Sequence, residues 1–142
     1  MNSRLKVLLA SCAALTAFMQ PALADDLSCQ GSIGNKQIDA NIKVPQGAHC
    51  NLNGTRVDGN IEVFQGATLV LKNAKVDGNV ISKKAGKIQI SDSRIDGNIE
   101  AKTHTPSFSV KNTTVDGNIV CGQGSRLSGG NNRVDGNVEC QY

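Results

Sequence analysis

Five carboxylates recur at a fixed spacing in this chain, Asp58, Asp77, Asp96, Asp116 and Asp135. Each is followed by glycine and asparagine: Gly59-Asn60, Gly78-Asn79, Gly97-Asn98, Gly117-Asn118 and Gly136-Asn137. Stacked along one edge, such carboxylates are a candidate calcium site, since Ca²⁺ gathers several oxygen ligands. Two residues before each Asp, however, stand Arg56, Lys75, Arg94, Thr114 and Arg133. Four of the five rungs therefore set a cation beside the anion, and a self-neutralised surface accounts for them better than a metal. The Gly-Gly-x-Gly-x-Asp pattern of calcium-binding β-rolls is absent. The asparagines read as a ladder of side-chain to backbone hydrogen bonds between neighbouring repeats. No metal and no cofactor is expected.

Catalytic constellations are equally sparse. His49 and His104 have no Ser, Cys or carboxylate at a spacing that suggests a triad, and no enzyme is expected. The stretch Lys102-Thr103-His104-Thr105-Pro106 is the one place where the spacing slips, and departures of this kind mark binding faces in repeat proteins. Lys102 and His104 are accordingly the candidate binding-loop residues.

The elements that must position these residues follow from the period. The aspartates are separated by 19, 19, 20 and 19 residues, and a degenerate Ile38-Asp39-Ala40-Asn41 precedes them by another 19. So strict a repeat implies one supersecondary turn per unit, each needing a neighbour to bury its apolar face. Gly and Asn are too frequent for stacked helices. Within a unit Val57, Ile61, Val63, Leu69 and Leu71 alternate with polar residues, the period-two signature of strands. The next units repeat this with Val76, Val80, Ser82, Ile88 and Ile90, then Ile95, Ile99, Ala101, Phe108 and Val110. The predicted fold is an all-β, single-domain parallel β-helix (β-solenoid), right-handed by analogy with coils of this length, with five to six coils. Five coils rise about 24 Å, and with one loop insertion there is little from which to build a roofed catalytic groove. The tag glycine is expected at a corner where only glycine fits.

Residues 1–24 read as a signal peptide: a basic start at Arg4 and Lys6, an apolar run from Val7 to Met19, and an Ala-x-Ala exit with cleavage expected after Ala24. The competing reading takes Leu9-Ala10-Ser11-Cys12 as a lipoprotein box, with lipid on Cys12. No segment is expected to cross a membrane. Removing Arg4 and Lys6 leaves 13 basic against 12 acidic residues, too balanced a charge for nucleic acid as a partner. Segment 25–37 is taken as an N-terminal cap and 38–142 as the solenoid.

The remaining cysteines, Cys29, Cys50, Cys121 and Cys140, are an even set in an exported chain and read as two disulfides. Cys121 and Cys140 each follow a tag Asp by five residues and so share one inward column in adjacent coils. Cys50 falls in the column of Leu69 and Ile88. Cys29 reaches that column one coil earlier if two residues are inserted near Gly34. The expected pairs are therefore Cys29–Cys50 and Cys121–Cys140.

The Val-Asp-Gly-Asn-Ile type of tag and its period resemble those of bactofilins, polymer-forming bacterial β-helix proteins. The stretch Ile42 to Leu52, with Pro45, Gly47, Ala48, Cys50 and Leu52 followed by Asn53-Gly54, is similar to small secreted bacterial β-solenoid proteins of unknown function. The resemblance covers residues 38–142 and implies architecture together with end-to-end polymerisation. A cytosolic cytoskeletal role does not carry over to an exported, disulfide-bonded chain. The expected function is a periplasmic or secreted structural or adhesive module acting through self-association or an envelope or surface protein partner. A polysaccharide-binding or polysaccharide-cleaving β-helix protein and a periplasmic inhibitor of a larger partner are the alternatives.

Overall fold

A computed structural model describes residues 26–140. The expected signal peptide with its cleavage after Ala24, and the alternative lipid site at Cys12, lie outside these residues. The chain winds as a parallel β-solenoid of about six coils, and each coil contributes one short strand to each of three sheets. The first sheet holds β1 (Asp26–Ser28), β4 (Asn41–Val44), β7 (Ile61–Val63), β10 (Val80–Ser82), β13 (Ile99–Ala101), β16 (Ile119–Cys121) and β19 (Val138–Glu139). The second holds β2 (Gly31–Ile33), β5 (His49–Asn53), β8 (Thr68–Lys72), β11 (Lys87–Ser91), β14 (Ser107–Lys111) and β17 (Leu127–Ser128). The third holds β3 (Gln37–Ile38), β6 (Arg56–Val57), β9 (Lys75–Val76), β12 (Arg94–Ile95), β15 (Thr114–Val115) and β18 (Arg133–Val134).

All pairings are parallel, and register follows the repeat: Val57 pairs with Val76, Leu69 with Ile88, and Ile61 with Val80. A parallel strand on a closed coil has one face toward the axis, so alternate side chains enter the core. The predicted inward residues are the buried ones, with Val57, Ile61, Val63, Leu69, Leu71 and Val76 all at 0 % exposure. Each buried aliphatic contributes roughly 1.5–3 kcal/mol before chain entropy is charged. No single coil encloses enough of them to stand alone, so stability is passed from neighbour to neighbour.

The segment set apart as an N-terminal cap, 25–37, supplies from Asp26 onward the first coil of the stack. Its strands β1, β2 and β3 pair with β4, β5 and β6. This coil is shorter than the others. Asp26 pairs with Asn41 at an offset of 15, whereas Gly31 pairs with Cys50 at an offset of 19, so four residues are missing where the first sheet turns into the second. Among the described residues no helix is long and apolar enough to cross a membrane.

Candidate functional site

The Asp-Gly-Asn tag forms the corner between the third sheet and the first. Here the backbone carbonyls point along the solenoid axis: the N–H of Gly97 donates to the carbonyl of Gly78 at 3.1 Å, and that of Gly117 to Gly97 at 3.1 Å. A Cβ on Gly97 would sit 2.6 Å from the Gly78 oxygen and against the Asn79 Oδ1, so there is no room for any side chain. The glycine is required by close approach rather than by a positive φ, since none of the tag glycines has one.

The asparagines complete the corner. The Oδ1 of Asn41 accepts the N–H of Asn60 at 2.9 Å, Asn60 that of Asn79 at 2.8 Å, and Asn79 that of Asn98 at 2.7 Å. Asn98 accepts from Asn118 at 2.8 Å and Asn118 from Asn137 at 2.7 Å. Each of these backbone donors, all partly buried except the exposed Asn137 N–H, is thus satisfied by the coil before it.

The aspartates and cations interleave on the solvent side. Lys75 binds Asp77 in its own coil and Asp96 in the next, the latter at 3.0 Å. Arg94 repeats the pattern with Asp96 at 2.9 Å and Asp116 at 2.6 Å, and Arg56 spans Asp58 and Asp77 more loosely at 3.7 and 3.9 Å. Hydrogen bonds to Asp77 and then Asp96 raise the Lys75 ammonium pKa. Reciprocally, the hydrogen bond from Lys75, opposed by partial desolvation and reinforced by Arg94, holds the Asp96 carboxyl below its ordinary 3.8. The arrangement binds charge internally and leaves the carboxylates committed.

One rung breaks the pattern. Thr114 stands where a cation would bridge Asp116 and Asp135. Asp116 consequently takes Arg94 on Oδ2 alone, while its buried Oδ1 accepts nothing among the described residues. Asp135 meets Arg133 at 3.1 Å and no second cation among the described residues. Two oxygens do not make a metal site, and no group of three or more His, Cys, Asp or Glu converges among the described residues.

The corner between the first and second sheets is the irregular one. Ala101 pairs with Cys121 at an offset of 20 and Lys87 with Ser107 at an offset of 20, which places the extra residue between Ala101 and Ser107. Lys102 and His104 are exposed there. Lys102 lies 3.7 Å from Glu100, and the His104 ring rests over Gly124 of the next coil. The loop is pinned from within by hydroxyls: Ser82 Oγ meets Thr105 Oγ1 at 2.7 Å, and the Thr105 N–H donates to Ser125 Oγ at 3.0 Å. His49 begins β5 in a separate coil, so the structure does not bring the two histidines together.

All four cysteines border this same corner. Cys121 is bonded to Cys140 directly above it, with Cα atoms 4.9 Å apart, as the register predicts. Cys29 is bonded to Cys50, with Cα atoms 5.5 Å apart, but by a route that corrects the expected one. There is no insertion near Gly34. The N–H of Cys29 donates to the Lys43 carbonyl just past the end of β1, which puts Cys29 in the column of Val44 and Val63. Gly31 occupies the column of Cys50. The disulfide therefore runs diagonally across the corner, spanning the gap left by the four missing turn residues. Both of its cysteines are buried, at 3 % and 1 % exposure, whereas Cys121 and Cys140 are half-buried.

The third corner, between the second and third sheets, holds a device that the sequence reading missed. Gly54, Asn73, Asp92, Asn112 and Asn131 all take positive φ, from 50° to 77°. Behind them Ser93 Oγ accepts the Ala74 N–H at 3.1 Å and Asn132 Oδ1 accepts the Thr113 N–H at 3.0 Å. The signal was present: the position four before each tag Asp is always Gly, Asn or Asp, the residues that tolerate the left-handed region. No protein-family model, curated protein or solved structure matches the chain.

Proposed function

We propose that this chain is an exported, non-catalytic structural or adhesive β-solenoid module that acts in the periplasm or outside the cell by associating through the ends of its stack. One observation carries the reading. The inward column Leu27, Ile42, Ile61, Val80, Ile99, Ile119 and Val138 is fully buried from Ile42 to Ile119, yet Leu27 and Val138 at its two ends are 36 % and 38 % exposed. Among the described residues β17, β18 and β19 pair on one side only, which leaves strand edges of the kind that template further pairing. A second molecule stacked in register buries both aliphatics at once.

Two disulfides support an oxidising compartment, as does the reading of residues 1–24 as a signal peptide. The bactofilin-like tag supports end-to-end assembly in the same direction. The test is light scattering of the oxidised protein over a concentration series. A mass that climbs with concentration, and that Val138→Asp returns to a monomer, is the expected result. A constant monomer mass at every concentration overturns the reading.

A further inference from the structure

We propose that the outer face of the second sheet is a docking surface for an acidic polysaccharide. The three faces of the solenoid divide their charges unequally. On the first sheet Asp26, Glu62 and Glu100 are met by Lys43, Lys83 and Lys102 within 3.2 to 4.0 Å. On the third the cations of β6, β9, β12 and β18 are bound to the tag aspartates. The strands of the second sheet contain no Asp or Glu. Lys72, Lys87 and Lys111 on that sheet, with Arg126 just before β17, have no carboxylate partner among the described residues. Of the six described cations without a carboxylate partner, all but Lys36 and Lys84 are thus gathered on this one face.

Its layout is regular. Lys72, Ser91 and Lys111 lie in one outward column, and Lys87, Ser107 and Arg126 continue another, the cations in each falling two coils, about 10 Å, apart. Between the two rows runs a column of neutral hydrogen-bonding groups, Gln89, Ser109 and Ser128, continued by Val70 and Asn51. A shallow trough of about 280 Å³ lies between Lys72 and Lys111, floored by Gln89, Ser91 and Ser109. Asp92 stands at its rim, where its carboxylate accepts from Asn112 Nδ2 at 3.3 Å. Spaced cations flanking hydroxyls and an amide suit a polymer with a carboxylate at intervals and hydroxyls between. No aromatic side chain points outward from these strands, which disfavours nucleobase stacking. A second copy of this chain is disfavoured because most carboxylates beside its first and third sheets already have cations next to them, Asp39 and Glu139 near the two ends of the stack being the exceptions.

This inference does not rest on end-to-end association, since a monomer presents the same face. The test is retention of the oxidised protein on immobilised polygalacturonate, with dextran as the neutral control and phosphatidylglycerol vesicles as the other anionic surface. Polygalacturonate alone is expected to bind, about fivefold more weakly for Lys72→Gln/Lys111→Gln and hardly changed for Lys43→Gln/Lys102→Gln, which removes the same charge elsewhere. Salt near 1 M, where the screening length is about 3 Å, is expected to release the protein. No binding to polygalacturonate, equal binding to dextran or vesicles, or equal loss in the two double variants overturns the proposal.

Discussion

Two corners of the same coil obey different rules. The tag corner repeats without variation in all five full copies, because the carbonyl of one glycine presses on the next and each asparagine side chain closes a bond in the following coil. The corner between the first and second sheets loses four residues in the first coil and gains one where Lys102 and His104 stand. It is also where both disulfides lie. The difference teaches that backbone bonds along the axis do not by themselves fix coil length, since Gly47 and Gly66 at the variable corner also donate to Gln65 and Lys84 of the next coil; what the tag corner adds is its unbroken glycine and asparagine ladder. The corner without that ladder absorbs the changes in length, and both cross-links lie there.

The largest expected effect tests that last point. Cys29→Ala/Cys50→Ala opens a 21-residue separation at a corner with no turn of its own, and a loss of about 3 kcal/mol in urea unfolding is expected. Cys121→Ala/Cys140→Ala is expected to cost less, because its half-buried sulfurs leave a smaller void. The opposite order would break the contrast between a disulfide that replaces a turn and one that merely fastens a neighbour.

Next come two glycines. Gly97→Ala, at the tag corner, forces a methyl against the Gly78 carbonyl and is expected to cost about 2 kcal/mol. Gly66→Ala, at the other corner, has open space around its Cβ and pays only for its φ of 69°, about 1 kcal/mol. Equal melting temperatures for the two variants would show that the corners are not distinct.

The smallest effect sharpens the account of the tag corner's outer surface. Thr114→Arg supplies the missing bridge between Asp116 and Asp135 and is expected to add about 0.5 kcal/mol at neutral pH, since the pairs are exposed. The sign of its pH dependence follows from the equivalent carboxylate, Asp96, whose folded-state pKa is depressed below 3.8 by Lys75 and then Arg94. Such a group contributes stability above its unfolded pKa and loses it as pH falls through the folded one. The advantage of the variant should therefore be present at pH 7, begin to fade as pH falls below about 3.8 and be gone once the folded-state carboxyls are protonated; a gain that survives there would point to packing instead.

Much of this was legible because a solenoid turns sequence spacing into spatial register. Columns such as Val57–Val76 and Leu69–Ile88, and the partner of Cys121, follow from counting by 19. The path of Cys29 was not legible, because the first coil lacks the tag Asp that anchors the count and its shortening falls upstream of the degenerate copy at Ile38. The positive-φ ladder at Asn73, Asp92 and Asn112 was visible only as a chemical preference, since Gly, Asn and Asp share a backbone tolerance rather than a hydropathy. The partition of charge among the faces required knowing which outward residues share a sheet.

The Gly-on-Gly contact also sets how such a molecule can change size. A single residue gained or lost at the tag corner would misalign every carbonyl and asparagine beyond it, whereas a whole coil added there would meet contacts identical to those it displaced. The length of the stack is therefore quantised, in steps of one 19-residue turn and about 4.8 Å, and lineages of this fold should lengthen or shorten by duplication and deletion of entire turns.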